Sequence, residues 1–182
     1  MRIVAGQWRG RGLIAPSGQT TRPTSERMRQ AVFDMLAHAP WAEGCLHEAE
    51  VLDVFAGTGA LGLEALSRGA KRAHFIEQDR AALTALKANL AACKAGERGV
   101  VLPIDARKPP RGTACMLVFL DPPYGRALIP TALPALNAAG WIAAHALIVA
   151  ETAEDEILEL PATMVAERRH GAGVTRFFRW TS

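Results

Sequence analysis

Between Thr24 and Pro40, Met28, Ala31, Val32, Met35 and Leu36 recur at i, i+3, i+4, i+7 and i+8, the stripe of an amphipathic helix. Upstream, two short apolar segments, 2–4 and 13–15, flank a stretch broken by Gly6, Gly10 and Gly12, which predicts a hairpin. Residues 41–50 read as a linker. After Glu50 the period changes: apolar runs at 51–55, 73–76, 100–104, 116–120 and 146–150 predict strands. Helices are predicted between them at 60–67, from an Asp79 cap through Leu83, Leu86, Leu90 and Cys93, and around 128–136. Alternating strands and helices imply right-handed crossovers and a mostly parallel sheet covered on both faces, an α/β Rossmann-like fold. The end of the chain departs from this rhythm. Runs 164–169 and 174–180, joined by His170-Gly171-Ala172-Gly173, predict an antiparallel pair closing the sheet.

At 182 residues, 49% hydrophobic and 21% charged, the chain has room for one main domain with a small appendage. Its longest lipid-like stretch, 138–150, is shorter than the roughly 20 residues a membrane-spanning helix needs. The start lacks the apolar run of a signal peptide, and Cys45, Cys93 and Cys115 are odd in number with no Cys-x-x-Cys spacing. Both features lead us to expect a cytoplasmic protein without a metal site. The net charge of +3 conceals an asymmetry. Residues 1–30 hold six arginines (Arg2, Arg9, Arg11, Arg22, Arg27 and Arg29) against Glu26 alone, so the rest of the chain is slightly negative. Guanidinium groups match phosphate with two hydrogen bonds and stack on bases, which makes these six candidate nucleic-acid contacts.

Gly57-Thr58-Gly59-Ala60-Leu61-Gly62 is a G-x-G-x-x-G between a predicted strand and a predicted helix, the context in which it cradles a nucleotide-like cofactor. Glu77 ends the next strand, 20 residues after Gly57, where a carboxylate can accept from ribose hydroxyls. A dinucleotide and S-adenosylmethionine both satisfy this pair. Asp53, four residues before Gly57, separates them, since a carboxylate there would repel a pyrophosphate and attract a methionine ammonium group. Asp105, expected to end the third strand, is a candidate acceptor for an adenine amino group.

Asp121-Pro122-Pro123-Tyr124 follows the fourth apolar run. Two prolines remove two N–H donors, so the turn offers acceptors alone, the Asp121 carboxylate and the Pro122 carbonyl. Such a pair suits an exocyclic amine with two hydrogens, whose lone pair it would direct toward a methyl donor. Tyr124 is placed to stack on a flipped base. The reaction needs positioning rather than a covalent intermediate or a metal.

These residues resemble the bacterial RsmD-type methyltransferases, which methylate N2 of a guanine in small-subunit (16S) ribosomal RNA. The likeness rests on Arg2-Ile3-Val4, Trp8-Arg9-Gly10-Arg11 and Arg22-Pro23-Thr24-Ser25-Glu26-Arg27-Met28-Arg29, then on Asp53-Val54-Phe55-Ala56-Gly57-Thr58-Gly59, Leu61-Gly62-Leu63-Glu64-Ala65 and Asp121-Pro122-Pro123-Tyr124. It implies a class I methyltransferase with a seven-stranded sheet at 41–182, a basic hairpin-and-helix extension at 1–40, S-adenosylmethionine as donor, and a partly assembled 30S particle as substrate for a monomeric enzyme. Asp53, Phe55, Gly57, Thr58, Gly59, Gly62, Glu77, Gln78, Asp105 and Ala106 are then the cofactor positions, and Asp121 to Tyr124 hold the guanine. The sequence departs from the family at Ala5, where glycine is common, and at His170, where tyrosine is frequent. Three other readings compete. DNA amino-methyltransferases share Asp-Pro-Pro-Tyr but usually carry a further recognition region, protein-glutamine methyltransferases typically have Asn at position 121, and an RNA-binding assembly factor would need no turnover.

Overall fold

The computed structural model describes the chain apart from residues 17–25, 124–127, 155, 157, 171–172 and 182. Seven strands form one sheet: β1 (Glu50–Val54), β2 (Arg72–Ile76), β3 (Gly99–Leu102), β4 (Cys115–Leu120), β5 (Ile142–Ala153), β6 (Ala162–His170) and β7 (Gly173–Trp180). Their order is β3-β2-β1-β4-β5-β7-β6. The first five are parallel to one another, and β7 runs antiparallel between β5 and β6. The α/β class, the seven strands and the antiparallel end agree with the sequence expectation.

Alternation along the strands sorts their side chains into two apolar layers. Val51, Phe75, Leu117, Phe119, Val149 and Phe177 meet the helices α1 (Glu26–His38), α2 (Ala60–Ser67) and α3 (Arg80–Ala92) on one face. Leu52, Val54, Val118, Leu120, Ile148 and Phe178 meet α4 (Ile129–Ala138) on the other. Both faces are covered, which is why the central strands read as unbroken apolar runs.

The N-terminal arm joins the first layer. The expected hairpin is reduced to one antiparallel bridge, Arg2 to Gly12, extended by hydrogen bonds from Ile3 N to Arg11 O and from Leu13 N to Met1 O, both 2.9 Å. Ile3 and Leu13 are buried in the same core as Met28, Val32, Phe33 and Leu36 of α1. Glu64 of α2, fully buried, fastens the arm by accepting from Val4 N at 2.8 Å and Ala5 N at 3.0 Å.

Most boundaries shift by a residue or two, and three differences from the sequence reading have a physical cause. The expected linker 41–50 contributes Ala42, Cys45, Leu46 and Ala49 to the core, so it is a packed segment. β3 stops at Leu102 because Pro103 has no N–H with which to continue the ladder. β5 starts at Ile142, not 146: its pairing with β4 is interrupted near Cys115, and His145 sits at φ 59°, a bulge that hides the first half of the strand from periodicity.

Candidate active site

The loop after β1 makes its turn with left-handed backbone at three residues. Phe55 has φ 62°, Gly57 φ 54° and Gly59 φ 77°. At Phe55 this conformation is strained, and at the glycines it is free. Gly62 is needed for space, since a Cβ there would lie 2.3 Å from Phe75 Cε1 and 3.1 Å from Asp53 Oδ2. α2 therefore presses close to β1 and β2, with its first turn, whose N–H groups lack partners within the helix, opening at the loop. One of those is claimed: Gly62 N donates to Asp53 Oδ2 at 2.8 Å.

Asp53 is 2% exposed. Burial pushes its carboxyl well above the usual carboxylate range; the Gly62 N–H opposes this, and the nearby charges of Asp121 and Glu77 add to it. Three acids carried by β1, β2 and β4 therefore converge at one edge of the sheet. Such an edge favours a cation. The expected role of Asp53 is altered, because its carboxylate braces α2 rather than standing open to a ligand.

Glu77 closes the loop from the other side. Its Oε2 accepts from Gly57 N at 2.8 Å, and its Oε1 from Gln78 N and Asp79 N, also at 2.8 Å. A carboxylate has about four acceptor positions, so Glu77 retains one, on Oε2, where two ribose hydroxyls were expected to bind. Gln78 is exposed beside it. Asp105 lies in the loop beyond β3, not at a strand end, and is committed to Arg107, whose Nε and Nη2 reach its two oxygens at 3.0 and 2.7 Å. The side-chain bonds from Arg107 hold the Asp105 carboxyl down at about 2. The expected adenine contact thus requires Arg107 to share its partner. Ala106 is 3% exposed, packed in the second apolar layer.

Asp121 and Pro122 follow β4 directly and are half-buried; Pro123 is exposed, and Tyr124 lies outside the described residues. Asp121 lines a crevice with Met28 and Val32 of α1, Leu61 of α2, and Glu151 of β5. The crevice is narrow, about 10 Å³, room for roughly one water, and the arm's helix packs beside the Asp-Pro-Pro turn there.

Of the six arginines, Arg9, Arg11 and Arg27 are exposed, and Arg2 is exposed in an ion pair with Glu26 at 3.0 Å. Arg22 lies outside the described residues. Arg29 is a correction. Its side chain is 0% exposed, 3.5 Å from Glu64 Oε2, and donates to the Arg2 carbonyl, so it is an internal anchor and no surface contact. Helix periodicity explains the burial, since Arg29 neighbours Met28 on a stripe that continues to Val32 and Phe33.

Two residues escaped the sequence reading. Glu64 stands alone among apolar residues in α2, and Asn89 falls on the apolar stripe of α3; a polar residue on a buried stripe was the available signal. Asn89, 0% exposed, donates to Thr58 O and Ile14 O at 3.0 Å and accepts from Ile14 N at 2.7 Å. It ties the cofactor-type loop to the arm.

Comparison with known proteins adds three findings. A family described as conserved hypothetical protein 95 matches residues 1–180. The ribosomal RNA small subunit methyltransferase D of Escherichia coli is 42% identical over 178 residues, covering 95% of this chain and 85% of that protein, and its Haemophilus influenzae namesake is 35% identical over 182 residues, covering 97% and 91%. The solved structure of the yhhF protein of Escherichia coli superposes with a TM-score of 0.86 at 39% identity, covering 100% of this chain and 98% of that one.

Proposed function

Because the chain belongs to the RsmD-type methyltransferases, the family described as conserved hypothetical protein 95, we propose that it methylates N2 of a guanine in 16S rRNA on a partly assembled 30S particle. The observation that carries this reading is the convergence of the Asp121-Pro122 turn with the Gly57–Gly59 loop, Asp53 and Glu77 at one sheet edge. S-adenosylmethionine, the donor we assign, supplies a methyl group on a positively charged sulfur. The residues present fit it: glycines at positive φ permit close backbone approach, the first turn of α2 offers N–H donors, and the acidic edge suits a cation.

Each residue then has a task. Gly57, Thr58 and Gly59 shape the loop, with Phe55 turning the chain into it and Gly62 bringing α2 close. Glu77 holds the loop through Gly57 N and offers its remaining Oε2 position to one ribose hydroxyl. The Asp121 carboxylate and the Pro122 carbonyl accept the two hydrogens of the guanine amine, directing its delocalised lone pair toward the methyl group. Asp121 receives a proton only as the nitrogen becomes cationic, so ordinary carboxylate basicity suffices. Tyr124 stacks on the base. Arg2, Arg9, Arg11 and Arg27 face solvent and are assigned to RNA phosphates.

The test is methyl transfer from labelled S-adenosylmethionine to 30S particles lacking base methylation, followed by nucleoside analysis. N2-methylguanosine is expected, with loss of at least ~100-fold in rate for Asp121→Ala while RNA association persists. Label in N6-methyladenosine or in DNA would overturn the base assignment. Cofactor binding without transfer to any nucleic acid would point to the assembly-factor reading.

A further inference from the structure

The Asp-Pro-Pro turn accounts for an amine but not for the choice of base, because adenine, cytosine and guanine all carry one. Parallel register supplies a second acceptor. β4 and β5 pair Leu120 with Ala150 across a spacing of roughly 4.8 Å, and the next residues are Asp121, just past the end of β4, and Glu151, still within β5. Alternation along β5 puts Glu151 on the face covered by α1 and α2, and Asp121 and Glu151 both line the narrow crevice walled by Met28, Val32 and Leu61. β5 runs on to Ala153, three residues beyond its pairing with β4, which holds Glu151 on regular strand backbone against β7 rather than on a loop. Its antiparallel partner, Thr175, lines the same crevice, and its hydroxyl is already engaged with His170 Nε2 at 2.9 Å and Met28 Sδ at 3.5 Å.

We infer that Glu151 is a specificity-determining residue that accepts a hydrogen bond from guanine N1–H, an inference that rests on the methyltransferase reading above. Guanine presents three adjacent donors, two on N2 and one on N1. The Asp121 carboxylate and the Pro122 carbonyl take the first two, and Glu151 takes the third. Adenine and cytosine present a lone pair at the ring nitrogen beside their amine, and a carboxylate facing it is repelled and gains no hydrogen bond. Selection for guanine therefore comes from a penalty on its competitors as much as from a bond to guanine itself.

The experiment uses the full-length enzyme and 30S particles reconstituted with rRNA carrying either guanine or 2-aminopurine at the position the enzyme methylates. The analogue keeps the N2 amine and replaces N1–H by a lone pair. Wild type is expected to prefer guanine by about 10- to 100-fold in kcat/KM, the size of a base-specific polar contact. In Glu151→Gln, whose amide can donate to that lone pair, the preference should fall at least tenfold while affinity for S-adenosylmethionine is unchanged. No preference in wild type, or the same preference in Glu151→Gln, would overturn the inference. The wild-type comparison decides even if the variant does not fold. Should wild type produce no N2-methylguanosine on any guanine-containing particle, the functional reading fails instead, and the two failures are distinct.

Discussion

Asp53 carries two demands that conflict. Its carboxylate braces Gly62 N at 2.8 Å, yet at 2% exposure and beside Asp121 and Glu77 its charge is unfavourable. The folded chain therefore holds the Asp53 proton more tightly than the unfolded chain does. Stability contributed by this group falls as pH rises from the unfolded carboxylate value of about 4 through the raised folded value. Asp53→Asn keeps an acceptor for Gly62 N and removes the charge. We expect its thermal midpoint at pH 7 to equal or exceed that of wild type, its stability to depend less on pH, and its affinity for S-adenosylmethionine to fall. Thermal melts across pH and titration calorimetry check this; a variant whose stability falls with pH as steeply as that of wild type would show that Asp53 does not carry the dependence. The neighbouring left-handed Phe55 and the close approach at Gly62 follow the same logic, with local strain and space held fixed by a core that surrounds them.

At the scale of elements, the arm is fastened to α2 and α3 by buried polar groups. Glu64 accepts from Val4 N, Ala5 N and Arg68 Nε, and Arg29 of α1 lies against it with both side chains 0% exposed. Burial lowers the Arg29 pKa and Glu64 opposes this, so the Arg29 charge depends on Glu64. Removing Arg29 strips Glu64 of one of its two cationic partners and empties a fully buried site between α1 and the arm. Arg29→Ala should cost about 3 kcal/mol or more in urea unfolding, whereas Arg27→Ala, two residues away and exposed, should change stability by less than about 0.5 kcal/mol. Equal effects of the two substitutions would refute the anchoring role. Sequence pattern placed α1 correctly but treated every arginine on it as equivalent, because charge counts carry no information about which helix face a neighbour covers.

At the scale of the whole molecule, the exposed Arg9 and Arg11 belong to an arm whose helix lines the crevice at Asp121, so the proposed RNA contacts and the proposed reacting turn belong to one packed unit. Charge reversal of both should weaken RNA binding uniformly and reduce the slope of log affinity against log salt by about one for each phosphate no longer neutralised. Filter binding at several salt concentrations measures it, and an unchanged slope would remove these residues from the RNA interface. Among the described residues no helix is long and apolar enough to cross a membrane. The strand–helix alternation, the G-x-G-x-x-G after β1, Glu77 20 residues on, and the Asp-Pro-Pro turn after β4 were all legible from the chain, because period and turn chemistry are local properties. The bulge at His145, the packing of 41–50, the loss of Arg29 to the core, the capture of Asp105 by Arg107 and the meeting of Asp121 and Glu151 at one crevice were decided only by the tertiary structure. Each depends on which distant residue arrives alongside, and that is fixed by the register and layering of the sheet as a whole.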